Sequence, residues 1–323
     1  VFVSVSATMW GIYINQQTGI NVSYNSLTSA AGIIATAFRG IFMDFSVAVP
    51  TGTFTNSITN NSITLNSAGT TGTFECIRSQ GMTSLSTATI NINSNSIIDC
   101  VISGISSAST MLCIINSSVP GTLSLSNNII RGNTSSASTG GFTGISNSGT
   151  GVNSLTINNN QVGNVIGGAI TFSAATSGTV TGIVSSGNPA ASAAVSIQNN
   201  DIRGIVHTIG GTGNHTYISM TGATAAGIVA TIAGNTFTNM NVNTTGTTTF
   251  ISQNYNASST SIKNTNNNAI VTAYVRSGAG GTVTLILDNA SSVTGSVSNC
   301  QNNNFSNITL AGTTVLNGLN YSD

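Results

Sequence analysis

One six-residue pattern recurs along the chain at a nearly fixed step. An apolar residue is followed by two small or polar residues, then Asn, then any residue, then another apolar residue. The pattern centres on Asn25 (VSYNSL), Asn61 (ITNNSI), Asn95 (INSNSI), Asn128 (LSNNII) and Asn160 (INNNQV). It continues at Asn200 (IQNNDI), Asn235 (IAGNTF), Asn268 (TNNNAI) and Asn303 (CQNNNF). Successive positions differ by 36, 34, 33, 32, 40, 35, 33 and 35 residues. Such regularity specifies a stack of like units, each covering the apolar face of its neighbour.

Helical repeats also come at this spacing, but the local chemistry excludes them. "GTVTLILDN" and "SVSNCQNNNFSNITL" alternate with period two and are rich in β-branched and amide side chains. A single Trp cannot punctuate propeller blades, and the repeat is too long for leucine-rich units. The expectation is an all-β fold, a parallel β-solenoid of about nine coils of roughly 35 residues. The whole chain, 1–323, reads as one such domain.

Each coil is expected to hold three strands. One runs into the Asn, as in Leu155–Asn158 or Val195–Gln198, and one leaves it, as in Ile202–Val206. A third follows, as in FECIRS (74–79), MLCIIN (111–116), FTGISN (142–147), YISM (217–220), TFIS (249–252) and TLILD (284–288). Ile197 and Ile202 are expected to point into the core. The marker Asn is expected to make the left-handed corner, which Asn tolerates, and to stack on its counterparts as an amide ladder.

Coils of the INNNxI type with Asn at a corner resemble the right-handed parallel β-helix, or pectin-lyase-like, superfamily. The Asn/Ser/Thr/Gly-rich composition is similar to that of β-helical regions of very long bacterial surface and secreted proteins, including Bacteroidota adhesins. Across residues 20–310 the resemblance implies a β-helix. For function it leaves lyases, hydrolases, tailspikes and adhesins open.

Only 4% of residues are charged, against about 25% in an ordinary globular chain. Six basic side chains balance six acidic ones, so neither nucleic acid nor an anionic membrane surface is an expected partner. The most apolar stretch, Gly32–Pro50, contains Arg39 and Asp44 and does not read as a membrane span. The chain lacks an initiator Met and a signal peptide and reads as a processed product or an excerpt of a longer chain.

Glycoside chemistry needs two carboxyl groups about 5 to 10 Å apart. Counted from the preceding marker Asn, Asp44, Glu75, Asp99, Asp201, Asp288 and Asp323 lie at +19, +14, +4, +1, +20 and +20. Asp288 and Asp323 share an offset, but a terminal residue makes a poor catalytic partner. Arg39 shares +14 with Glu75 one coil later, which predicts an ion pair rather than a catalytic group.

Cys76 and Cys113 fall on one strand of adjacent coils, at a separation suited to a disulfide, with Cys100 competing for either. Cys300 takes an apolar position and reads as a buried thiol. His207 and His215 flank TIGGTGN and read as solvated loop residues, a poor metal site. Thr-x-Thr occurs at 51–53, 71–73, 179–181 and 282–284, and the last three begin at +10, +19 and +14. Those offsets predict that the pairs do not stack, which argues against an ice-binding face. The 40-residue interval is expected to carry its insertion near SSGNPAASAA (185–194).

No cofactor and no metal are expected. The reading is a non-catalytic extracellular or cell-surface protein, structural or adhesive, forming a rod or fibre. Its partners would be further copies stacked end to end or flanking repeats of the same chain, together with surface glycans. The strand-like VFVSVS (1–6), with no capping helix, points the same way. A polysaccharide-binding or polysaccharide-degrading protein is the alternative.

Overall fold

The computed structural model describes all residues except 1–7, 33–36, 48–51, 70, 84, 106, 223–224, 289, 291–292 and 322–323. The strand expected at 1–6, Asp323 and Thr51 of the first Thr-x-Thr lie outside the described residues. The described chain is an all-β parallel solenoid with no helix. Four parallel sheets of nine, eight, eight and ten strands run along it; we call them S1 to S4 in the order in which a coil visits them.

The coil around Asn200 shows the plan. Ala194–Gln198 lies in S1, Asp201–Arg203 in S2, Ile205–His207 in S3 and His215–Met220 in S4. The expected second strand, Ile202–Val206, is divided at Gly204, whose φ of 63° bends the chain between S2 and S3. A coil therefore contributes four short strands where the sequence pattern shows three apolar segments. In the 40-residue coil, two of the eight residues added relative to the preceding coil fall at the expected place, between Val180 and Ala194. Five lie instead between Gln161–Val162 and Ile170–Phe172, strands that a single residue separates in the preceding coil. Val165 and Ile166 stand exposed in that loop.

In-register pairing stacks like on like. In S1, Ile157 pairs with Ile197, which pairs with Ile232. Val162, Ile202 and Phe237 align in S2. Ile145, Ile183, Ile218 and Ile251 align in S4. All of these are buried, and each adds about 2 to 3 kcal/mol of apolar burial. Parallel sheets place the same coil position at the same depth in every rung, so a repeat of 35 residues builds one continuous core.

The Asn pair divides its labour. The left-handed residue is the one before each marker: Asn60, Ser94, Asn127, Asn159, Asn199, Asn267 and Asn302 have φ between 54° and 58°. Gly234 and Tyr24 take the same role with φ of 65° and 58°. The marker Asn does not itself make the turn, contrary to expectation; its side chain is committed to stacking.

Each marker donates both its backbone N–H and its Nδ2 to Oδ1 of the next. The Nδ2 to Oδ1 links run Asn25–Asn61 (2.9 Å), Asn61–Asn95 (3.0 Å), Asn95–Asn128 (3.2 Å) and Asn128–Asn160 (3.1 Å). They continue through Asn160–Asn200, Asn200–Asn235, Asn235–Asn268 and Asn268–Asn303, each at 2.9 Å. The second Nδ2 hydrogen goes to a carbonyl of the previous coil, as from Asn200 to Ile157 at 2.9 Å. A buried amide is stable only with its donors and acceptors occupied, and this spine occupies them along the solenoid.

Tyr24 is the misfit in this series. A bulky residue in the left-handed region carries a backbone penalty that glycine does not, and its ring is 82% exposed, so it gains little from burial. Tyr24→Gly should raise stability by about 0.5 to 1 kcal/mol, read as a shift in the urea midpoint. An unchanged or lowered midpoint would show that the ring contributes more than the backbone loses.

Candidate functional site

The outer face of S4 gathers the chain's scarce reactive side chains. Its first rungs bring Trp10, Arg39 and Glu75 into one column and Tyr13, Phe42 and Arg78 into the next. Glu75 is fully buried and accepts from Arg39 Nε at 2.6 Å and from Arg78 on its own strand. The Arg39–Glu75 pair predicted from a shared offset is thus one half of a three-residue cluster. The Arg39 guanidinium lies 4.6 Å over the Phe42 ring. Phe42 stacks on Tyr13 (5.5 Å, 16° between planes), and Tyr13 on Trp10 (4.8 Å, 15°).

Arg39, Phe42, Tyr13 and Trp10 form a row of planar groups whose last two members are 43% and 46% exposed. At its edge Tyr13 donates to Asp44 at 3.4 Å, and Gln80 Nε2 and Ser46 N–H also donate to Asp44. Burial pushes the Asp44 carboxyl up, but these hydrogen bonds outweigh it and hold the group below the ordinary carboxylate range. Asp44 stays ionised and Glu75 is occupied by two guanidinium groups. The cluster is equipped to hold a ligand by stacking and hydrogen bonding, and poorly equipped to move a proton.

The remaining predicted site residues fall elsewhere. Cys76 and Cys113 sit on adjacent rungs of S4 but are free thiols, so the expected disulfide is not formed. The Cys76 sulfur also lies 3.9 Å from that of Cys100, across the core. All three are buried. The Cys100 thiol draws the Cys76 pKa down, but neighbouring Cys113 and burial outweigh it and raise the pKa well above the ordinary range. The Cys100 thiol is raised as well, first by its contact with Cys76 and then by burial, so these two are held in their unreactive form. Cys300 is free and exposed rather than buried, because no described strand covers its side of S1.

The two histidines are not solvated. His207 and His215 are 5% and 1% exposed, and their rings lie 5.0 Å apart inside the S3–S4 corner. Phe172 packs on His207 at 4.7 Å and Tyr217 meets His215 edge-on at 6.0 Å. Stacking coils turned a hydrophilic-looking sequence into part of an aromatic column. Both nitrogens of His207 and Nε2 of His215 lack a partner among the described residues. Burial lowers His207 to about 4. Burial, then the nearby charges of His207 and Arg276, push His215 well below its usual value.

Arg276, 1% exposed in the same corner, donates to the carbonyls of Gly246, Gly278 and Gly280 and to the Thr248 hydroxyl. It braces the loops there. Two further ion pairs do similar structural work. Lys263 binds Asp288 at 2.6 Å in the interior, and Arg203 binds Asp201 at 2.9 Å on the surface.

The Thr-x-Thr pairs at 179–181 and 282–284 do stack, against expectation. Thr181 pairs with Thr216, Thr216 with Thr249, and Thr249 with Thr284 along the outer side of S4. Two residues earlier on each rung, the same register carried back aligns Thr179, Asn214, Thr247 and Thr282. The pair at 71–73 lies two residues out of this register. Counting from Asn160 misplaced Thr179 because the inserted loop lies between them. A column by pairing, not by offset, was the signal that could have found it.

No protein-family model, curated protein or solved structure matches this chain.

Proposed function

We propose that the chain is a non-catalytic structural and adhesive rod of the extracellular surface. On this reading its plan is the right-handed β-helix of the pectin-lyase type, as in repeat regions of large bacterial surface proteins such as Bacteroidota adhesins. The observation that carries the proposal is what the chain does with four of its carboxylates. Glu75, Asp201 and Asp288 are each held by a cation, and Asp44 by three hydrogen bonds. Groups that an enzyme would keep free for chemistry are here used to fasten rung to rung.

The outer strands Thr8–Asn15 and Val315–Tyr321 pair on one side only among the described residues. Leu316 and Leu319 are 49% and 54% exposed there. Open parallel edges with apolar side chains favour further coils, from the same chain or from a second copy. The Trp10–Tyr13 row favours one additional role, retention of surface glycans, since a sugar's C–H face stacks on exposed rings.

Incubation of the purified protein with a panel of polysaccharides tests both parts. The expected result is retention on some of them without any depolymerisation, with retention lost in Trp10→Ala. Release of soluble oligosaccharides by the purified protein would overturn the non-catalytic reading. Equal retention by Trp10→Ala would remove the stacking row from the account.

A further inference from the structure

We propose that the threonine face of S4, from Thr179 to Thr284, binds ice. This goes beyond the structural rod and does not depend on it. Four consecutive rungs carry the pairs Thr179/Thr181, Asn214/Thr216, Thr247/Thr249 and Thr282/Thr284. Parallel pairing spaces the rungs by about 4.8 Å, and two residues along a strand add roughly 6.6 Å. The result is a two-dimensional lattice of methyl and hydroxyl groups rather than a single stripe. Threonine is β-branched and stiff at χ1, so each position presents its methyl and hydroxyl in a restricted set of directions.

Three further observations point outward, to a partner. Thr284 is only 8% exposed, while Thr179, Thr181, Thr216, Thr247, Thr249 and Thr282 are partly or fully exposed. Among the described residues, none of these six hydroxyls is engaged within the chain, whereas those of Thr176, Thr208, Thr236, Thr238 and Thr244 are. The lattice carries no ionised side chain: Arg276 is buried in the corner, and Lys263 and Asp288 neutralise each other inside. The face is also held in register, since Asn214 Oδ1 accepts from the Thr247 N–H at 2.8 Å.

An ice surface is itself a rigid, uncharged lattice of donors and acceptors, with repeats on the scale of these two spacings. Each threonine–water contact is weak. An array already fixed by the fold, however, loses little conformational freedom when many such contacts form together. A soluble sugar fits less well here. Sugars are held by ring stacking and by charged or amide side chains, and the rings that could do so lie at the other end of S4, around Trp10.

The test uses the purified full chain, with thermal hysteresis and ice recrystallisation as readouts. The unmodified protein is expected to open a concentration-dependent gap between melting and freezing and to arrest recrystallisation. Thr216→Tyr and Thr249→Tyr, at the central rungs, should lose both effects. Thr89→Tyr, on the outer face of S1, should keep them. Thr247→Lys, at an exposed position that tolerates a long side chain, gives a second loss variant should either tyrosine fail to fold. Circular dichroism and an unchanged melting temperature define the folded samples. Absence of both activities in the folded unmodified protein overturns the proposal. So does full activity in the S4 variants, or an equal loss in Thr89→Tyr. Retention on crystalline cellulose that is abolished by Thr216→Tyr, without any effect on ice, would reassign the face to a glycan and overturn it as well.

Discussion

Asn160→Ala should cost the protein about 4 kcal/mol, read by urea denaturation, because one buried amide serves two neighbouring coils. Its Oδ1 accepts from Asn128 N–H at 2.9 Å and from Asn128 Nδ2 at 3.1 Å. Its own Nδ2 donates to Leu125 O and Asn200 Oδ1, both at 2.9 Å. Alanine leaves the Asn128 N–H and the Leu125 carbonyl without these partners in a site closed to solvent, and adds a small void. Two comparisons isolate the cause. Thr156→Ala, on the outer face of the strand Ser154–Asn158 that leads into this corner, should stay within about 0.5 kcal/mol. Asn159→Gly should be near neutral, because position 159 contributes its backbone angle and glycine supplies that freely. A loss below about 1 kcal/mol for Asn160→Ala would mean that the spine follows from the stack without holding it.

Acid should loosen the S3–S4 corner first. His207 titrates near 4 in the folded protein and near 6.5 when exposed. Between those values the unfolded chain binds a proton that the folded chain refuses. Stability therefore rises with pH across this window and falls as the pH drops from about 6.5 toward 4. The full difference for His207 is about 3 kcal/mol, and His215, displaced in the same direction by burial, adds to it. Unfolding curves at pH 7, 5.5 and 4.5 should show this decline. His207→Phe, which keeps an aromatic ring between Phe172 and His215, should flatten it. If the double variant His207→Phe/His215→Phe declined as steeply as the parent, the acid sensitivity would have to come from the carboxylates.

What could be read from the sequence is what depends on period. The nine marker asparagines declare the solenoid because every coil must turn and stack at the same place. Ile197 and Ile202 fall in the core because apolar alternation survives from coil to coil. The hidden features depend on depth and on pairing. His207 and His215 look solvated beside TIGGTGN because polarity in a line of sequence says nothing about which coil covers it. Cys76 and Cys113 satisfy a distance rule as rung neighbours, yet both stay free thiols, and Cys76 also meets the sulfur of Cys100 from another side of the coil. Gly204 divides one apolar segment into two strands by a backbone angle that hydropathy does not register. The threonine lattice was concealed by a loop of a few residues, since counting along the chain measures contour and pairing measures height.

The amide column also gives the molecule a direction. Every marker-to-marker hydrogen bond runs from the lower-numbered Asn as donor to the higher-numbered one as acceptor, with no reversal from Asn25 to Asn303. Aligned amide dipoles add, as they do along a helix axis, so the two ends of the column carry opposite partial charge. The Asn25 end offers its Oδ1 as an acceptor; at the other end the Asn303 Nδ2 is taken by Thr265 O and Cys300 Sγ, which leaves the backbone N–H as the donor. A coil joined at either end can extend the column only in the same sense. Any such addition would be vectorial, and two like ends brought together would meet as mismatched poles.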